Sequence, residues 1–308
     1  MTLQQMEYIV AVDKYRHFVR AAEACGVTQS TLSSMVQKLE NELDVQIFDR
    51  NSYPIRPTAQ GEAIITQAQV VLFHAAQLKE MVLSERQQES GKLHLGVIPT
   101  IAPYIIPRLI KSIHTHHQQV ELQLMEARTA VLIEKLERAE IDVALLVTPL
   151  NNPKLLEIPL YYEKFKLYVS PDESLSAMDE VDAAALPDDH LWVLAEGHCL
   201  RNQVLNLCHR KSRYSHVYEA GSIDTLVKIV DENGGYTVIP ELHVPLLTDQ
   251  QRACVRPFRG QEPVREVSLV VRTDYIRERM LNLLADAIRS IVPEELVDER
   301  LKKFAIKL

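Results

Sequence analysis

The sequence predicts a multidomain α+β protein: a winged helix-turn-helix, then a long dimerising helix, then an α/β domain of two lobes. Three observations predict it. Residues 1–58 carry short amphipathic segments separated by tight-turn residues. Residues 59–90 repeat apolar side chains every seven positions. From Lys92 onward, short β-rich runs alternate with helical patterns over the remaining chain. With 308 residues the chain is also too long for one ordinary core.

The first region divides by its turn chemistry. Leu3, Met6, Ile9 and Val10 give an apolar face at helical spacing. Phe18 to Cys25 forms a second segment, and Gly26 suits the left-handed residue that ends it. Thr28 is a good N-cap for a third segment, Gln29 to Leu43. There Leu32, Met35, Val36 and Leu39 make one apolar stripe, leaving Gln29, Ser30, Thr31, Ser33, Ser34, Gln37 and Lys38 off it. Helix, short turn and second helix with a small polar outer face make a helix-turn-helix. Ile47–Arg50 and Tyr53–Thr58 read as a two-stranded wing with Arg50 and Arg56 at its base. Spacing alone leaves an ordinary three-helix surface with scattered arginines as the alternative.

Thr58 caps a helix expected to run to about Ser90. Ile64, Val71 and Leu78 repeat every seven residues, with Ala68, Ala75 and Val82 beside them. That pattern suits a helix that pairs with a second copy, and equally one packed on its own domain. About 30 helical residues give a rod of roughly 45 Å, which would set two recognition helices over two half-sites.

In the third region, strands are expected at 93–98, 141–147, 166–170, 191–194, 235–239 and 267–271. Helices are expected near 104–114, 131–139, 201–207, 223–233 and 277–291. Such alternation implies parallel sheets with covering helices. The expected lobes are 91–163 with 267–308, and 164–266. Ligands in such folds bind outside the carboxyl ends of strands. No GxGxxG or Walker loop is present, so no nucleotide cofactor is expected, nor any other cofactor.

Composition limits the function classes. No apolar run approaches the roughly 20 residues of a membrane span, and Met1 to Val10 does not read as a signal peptide. A cytoplasmic location is expected, where cysteines stay reduced. Cys25, Cys199, Cys208 and Cys254 are therefore not a structural disulfide framework. The net charge of −8 argues against nucleic acid as a partner, and six bases against seven acids in the first sixty residues do not reverse that. DNA binding must rest on where the charges sit.

The stretch Ala21-Ala-Glu-Ala-Cys-Gly-Val-Thr-Gln-Ser-Thr-Leu-Ser-Ser-Met-Val-Gln-Lys-Leu-Glu40, followed by Leu43 and Ile47-Phe-Asp-Arg50, resembles the DNA-binding signature of LysR-type regulators. It departs from the common pattern at Ser30, where the family often has proline. The resemblance covers essentially the whole chain. It implies the linker helix and a two-lobed, periplasmic-binding-protein-like sensor domain. It also implies double-stranded operator DNA, further copies of the chain (dimer or tetramer) and RNA polymerase as partners. Gln29, Ser30, Thr31, Ser33, Ser34, Lys38, Arg50 and Arg56 are then the DNA-contacting candidates. Of these, Gln29, Thr31 and Ser34 are expected at base edges and the two arginines at phosphate.

A second segment, Gly197-His-Cys-Leu-Arg-Asn-Gln-Val-Leu-Asn-Leu-Cys208, resembles the redox loop of the bacterial peroxide sensors within that family. The resemblance implies that Cys199 is oxidised by hydrogen peroxide and Cys208 resolves it as a disulfide, activating oxidative-stress genes. It places Thr100, Thr129, His198, Arg201 and Arg265 in the peroxide pocket. A cellular thiol reductant such as glutaredoxin or thioredoxin would reset the switch. Cys25 and Cys254 fall outside the pattern and read as packing residues.

The residues themselves leave alternatives. His198 and Arg201 flank Cys199, and His209, Arg210 and Lys211 follow Cys208, a basic stretch that would favour a thiolate. An isolated cysteine is more often a small buried hydrophobe. Metal is not expected, because eight residues between the cysteines is the wrong spacing for structural zinc. The run His114, His116, His117 reads as a solvated helix end. A regulator sensing a small organic anion in the interlobe cleft is the nearest rival. A thiol peroxidase is the rival from another class, though no Cys-x-x-Cys is present and an enzyme needs no helix-turn-helix.

Overall fold

The computed structural model describes residues 1–84, 91–183, 186–187, 190–207, 220–260 and 262–304. The chain divides into two compact units, Met1–Gln88 with Glu137–Glu140, and Glu89–Leu136 with Ile141–Leu308.

In the first unit each helix starts where a side chain can satisfy a free N–H. Thr2 Oγ1 accepts from Gln5 N at 3.2 Å while Gln5 Oε1 accepts from Thr2 N at 2.9 Å, and helix α1 (Leu3–Tyr15) follows. Helix α2 (Phe18–Ala24) ends at Cys25, and Gly26 takes the expected left-handed turn with φ of 66°. Thr28 Oγ1 then accepts from Thr31 N at 3.2 Å and opens α3 (Gln29–Leu43). Leu32, Val36 and Leu39 of α3 are fully buried against Ile9, Val12, Ala21, Ile47 and Phe48. Strands β1 (Phe48–Asp49) and β2 (Arg56–Pro57) pair antiparallel and form the expected wing.

Thr58 Oγ1 accepts from Gly61 N at 2.9 Å at the start of α4 (Ala59–Ser84). The stretch expected to carry this helix to Ser90 lies outside the described residues. Ile64 and Val71 pack on the core of their own unit, and Ile65 and Ala68 are buried in it. Leu78, further along the same stripe, is 64% exposed. The early part of the stripe therefore serves its own domain, as the alternative reading had it.

The second unit is built on one seven-stranded sheet. Its elements, in chain order, are β3 (Gly91–Val97), α5 (Ala102–His116), β4 (Val120–Glu126), α6 (Thr129–Glu137), β5 (Val143–Thr148) and β6 (Leu155–Val169). There follow α7 (Cys199–Leu207), α8 (Ile223–Asn233), β7 (Tyr236–Pro240), a 3₁₀ turn (Glu241–Leu246), α9 (Asp249–Arg252), β8 (Val255–Arg256), β9 (Val264–Arg272) and α10 (Glu278–Arg289). The strand order is β4-β3-β5-β9-β6-β7, with β8 also on β6.

This corrects the expected parallel sheets. Only β3–β4 and β3–β5 are parallel; the pairings of β5, β6, β7 and β8 onto β9 or β6 are antiparallel. The reason is that β9 returns from far along the chain to lie between β5 and β6. Helix alternation predicts parallel crossovers only between consecutive strands. Leu191–Leu194 is not a strand; it makes single bridges, Leu191 to Tyr236 and Leu194 to Ala220. Strand β4 and the first half of β6 add to the expected set.

Two hydrophobic cores form around the sheet. One draws on Leu93 to Tyr161 and on Val267 to Leu296, the other on Phe165 to Phe258. Strand β6 runs through both, pairing first with β9 and then with β7 and β8. Gly96 permits this packing on β3: a Cβ there would lie 2.5 Å from Leu132 Cδ2 and 2.8 Å from Ile141 Cδ1.

Candidate functional site

Cys199 is the first residue of α7, so its sulfur lies where the backbone N–H groups of a helix start are unpaired. The N–H groups of Cys199 and Leu200 and the Thr129 hydroxyl, at the start of α6, all favour its anion. The Arg265 charge acts on it from β9. These four influences favour the thiolate, but burial outweighs them and raises the thiol above its ordinary value. The side chain keeps partial exposure at its surface while packing on the first core.

Arg265 is completely buried and fully engaged. Its Nε donates to Glu163 Oε2 at 2.8 Å, Nη1 to Thr100 Oγ1 at 3.0 Å, and Nη2 to the Thr100 carbonyl at 3.0 Å and Tyr104 Oη at 2.9 Å. Thr100 follows β3, so the cluster joins residues from β3, α6, α7 and β9 outside the strand ends. The structure thus links Thr100, Thr129, Arg265 and Cys199, four of the residues expected in the pocket.

The other two, His198 and Arg201, have different surroundings. His198 is buried, and burial together with the nearby Arg128 charge lowers its pKa below 6.5. It is neutral at pH 7 and cannot be the cation that the sequence suggested beside Cys199. Arg201 is turned to the Leu194 carbonyl, Nη1 donating at 2.8 Å, and so fastens the start of α7. Cys208, with His209, Arg210 and Lys211, lies outside the described residues. Among the described residues no group of three or more His, Cys, Asp or Glu could hold a metal ion.

Four residues here escaped sequence reasoning. Tyr104 and Glu163 hold Arg265 through contacts 161 and 102 residues apart in the chain. Gln203, one helical turn beyond Cys199, and His243, in the turn after β7, are wholly buried, with no hydrogen-bond partner among the described residues at either polar side-chain atom. The helical spacing of Cys199 and Gln203 was a usable signal, since residues four apart share a face. Cys25 and Cys254 each pack against a core, and burial raises both thiols.

On the first unit, Gln29, Ser30, Thr31, Ser34 and Lys38 are exposed on α3, and Ser33 is half-buried. The hydroxyls of Ser30 and Thr31 lie 3.0 and 2.8 Å from Thr28 Oγ1, so both join the cap. Arg56 is exposed on the wing. Arg50 is more constrained: Nη2 donates to Glu40 Oε2 at 2.9 Å and its Cζ lies 5.6 Å from the Phe18 ring centre. Glu40 Oε1 meanwhile accepts from Ile47 N and Phe48 N. Glu40, which sequence reasoning passed over, thus ties the end of α3 to the wing.

Residues 3–62 match the bacterial regulatory helix-turn-helix of the lysR family, and residues 86–292 match the LysR substrate binding domain. The chain belongs to the LysR family of helix-turn-helix transcription regulators. It is 34% identical over 290 residues to the hydrogen peroxide-inducible genes activator of Pectobacterium carotovorum, covering 94% of this chain and 96% of that one. It is also 34% identical over 291 residues to the DNA-binding transcriptional dual regulator OxyR of Escherichia coli K12, covering 94% and 95%. A solved structure of full-length OxyR from Pseudomonas aeruginosa, carrying a cysteine-to-aspartate substitution, superimposes with a TM-score of 0.81 at 36% identity. That match covers 94% of this chain and 98% of the other. Among the described residues no helix is long and apolar enough to cross a membrane.

Proposed function

We propose that this chain is a redox-responsive, DNA-binding transcriptional activator that senses hydrogen peroxide at Cys199. The observation that carries the reading is Cys199 as the first residue of α7, packed on the first core, where Thr129 and the buried Arg265 both favour its anion. The relatives named as peroxide-inducible activators support it.

The chemistry runs in two steps. The Cys199 sulfur attacks one oxygen of the peroxide, the O–O bond breaks, and a sulfenic acid forms as the other oxygen leaves with a proton as water. Thr100, Thr129, His198 and Arg265 orient the peroxide, while Arg201 holds the helix start. The Cys208 thiol then attacks the sulfenic sulfur, expelling water and closing a Cys199–Cys208 disulfide. A cellular thiol reductant of the glutaredoxin or thioredoxin kind reverses it. Each oxidation consumes one peroxide and leaves the chain in its altered state until a reductant resets it, so the protein acts as a sensor and not as an enzyme.

Helix geometry makes the disulfide a switch. Eight steps from Cys199 to Leu207 at 1.5 Å give about 12 Å along α7. Cys208 is one residue further, and consecutive α-carbons are about 3.8 Å apart, so an intact α7 keeps the two cysteines roughly 8 Å apart or more. A disulfide requires less than about 7 Å. Closure therefore demands that α7 unwind, and the new local fold changes how a dimer or tetramer of the chain holds operator DNA and RNA polymerase. The setting is the cytoplasm, where promoter DNA and thiol reductants are available together.

Thiol states read by mass spectrometry after one equivalent of peroxide test this, on wild type and Cys208→Ser. The expected result is a fast, reversible Cys199–Cys208 disulfide in the wild type and a trapped sulfenic acid in the variant. Slow, indiscriminate oxidation of all the cysteines would overturn it and favour a small organic effector.

A further inference from the structure

The cation of the pocket has its own counter-charge, which the two steps above leave unused. Glu163 on β6 and Arg265 on β9 are cross-strand partners, and both side chains are completely buried. Glu163 Oε2 accepts from Arg265 Nε and from Tyr104 Oη, each at 2.8 Å, and lies 2.8 Å from Arg265 Nη2. Its Oε1 accepts from Leu242 N at 3.2 Å. Tyr104 closes the triangle by accepting from Arg265 Nη2.

Hydrogen bonding alone does not call for a carboxylate here. Thr100 already satisfies two guanidinium nitrogens with a hydroxyl and a carbonyl, both neutral. Burying an acid carries a desolvation cost that a neutral acceptor would avoid. What only the acid supplies is negative charge, in surroundings where charge carries far.

The other groups facing this cluster are neutral for the most part, and Arg128, exposed beside Gly197 and His198, is a further positive charge. Burial holds Tyr104 on α5 and Tyr161 on β6 protonated. Burial also lowers His198, beside Cys199 and Arg128, and His243 in the turn after β7, so both imidazoles are neutral at pH 7. Asp224 of α8, 3.5 Å from His243 Nε2, faces solvent. Burial raises Glu163 above its ordinary value against the pull of Arg265, Tyr104 and Leu242, and it is the 2.8 Å contacts of Oε2 with Arg265 Nε and Nη2 that make the two side chains an ion pair. Arg265 acts on the Cys199 sulfur, and Glu163 is the charged partner of Arg265.

We infer that Glu163 is a positioning residue that acts through Arg265: it fixes the guanidinium in the pocket and offsets the positive charge that reaches Cys199. Glu163 is thus a brake on the reactivity of the sulfur. This rests on the peroxide-sensing reading of Cys199. Glu163→Gln keeps the shape of the side chain and removes its charge, so Cys199 should ionise at lower pH.

The test is the pH profile of iodoacetamide alkylation on the full-length reduced protein, resolved by peptide mass spectrometry. In Glu163→Gln the Cys199 midpoint should fall by about one pH unit, which makes alkylation and peroxide oxidation at pH 7 on the order of tenfold faster. Cys25 and Cys254 keep their wild-type profiles and serve as internal controls. Glu163→Asp, which keeps the charge but withdraws it by one methylene, should shift Cys199 in the same direction by less. It also guards against a Gln variant that does not fold. A merely structural Glu163 would lower thermal stability and leave the Cys199 midpoint unmoved, or raise it, and either outcome overturns the inference. If wild-type Cys199 reacts with peroxide no faster than Cys25 and Cys254, the underlying reading fails instead, whatever the alkylation profile shows.

Discussion

Helices α3 and α7 each begin at a candidate functional residue, Gln29 in one and Cys199 in the other, yet they are secured very differently. Helix α3 has 15 residues, a Thr28 cap, a stripe of fully buried leucine and valine, and Glu40 binding its end to the wing. Helix α7 has nine residues and buries Gln203 with neither amide atom paired among the described residues. A short helix depends on packing for its stability, and an unpaired buried amide weakens that packing. The reader of DNA is built to hold its shape. On the proposed function, the disulfide has only this shorter helix to undo.

The comparison can be broken most forcefully at α3. Leu32→Ala empties a fully buried site and should cost the DNA-binding unit about 2–5 kcal/mol, read by thermal unfolding alongside operator binding. A loss near zero would mean that α3 is no better packed than α7. The complementary change sharpens the contrast: Gln203→Leu removes the unpaired amide and should stabilise α7 by about 1–3 kcal/mol. Disulfide closure after peroxide should then slow by roughly tenfold or more, since about 1.4 kcal/mol corresponds to a factor of ten. Unchanged closure kinetics would show that α7 opening does not limit the switch. Thr28→Ala, with a lost cap, should cost about 1 kcal/mol in chemical denaturation and weaken DNA binding accordingly.

The smallest effect expected is on pH. His198 and His243 titrate below their ordinary value of 6.5 in the folded chain, so between the two values the unfolded chain holds protons that the folded one lacks. Stability should therefore fall as pH drops below about 6.5 and stay level above it. Denaturation midpoints across that range check this, and a rise on acidification would contradict the burial of both imidazoles.

What was legible in the sequence follows from how local the determining interactions are. Gly26, Thr28 and the Leu32–Val36–Leu39 stripe define the helix-turn-helix within about a dozen residues, and the structure places every turn where they put it. The wing and the starts of α4 and α8 were equally local. The pocket was legible at Cys199 because a segment resembled a known one, whereas its supports were not. Glu163 and Tyr104 reach Arg265 only because β9 inserts beside β6, a pairing that alternation of strands and helices does not encode. The neutrality of His198 was hidden for the same reason: flanking residues suggest a cation, and only burial and Arg128 decide otherwise. Likewise the ion pair of Arg50 with Glu40 is not visible in a reading that places both arginines at phosphate.

Hydrogen exchange of the α7 backbone amides, before and after one equivalent of peroxide, tests the central claim most directly. The account predicts that residues 203–207 are protected in the reduced protein and lose protection once the Cys199–Cys208 disulfide forms. Protection should persist in Cys208→Ser, while α3 is unchanged throughout. A disulfide that forms with α7 still fully protected would contradict it.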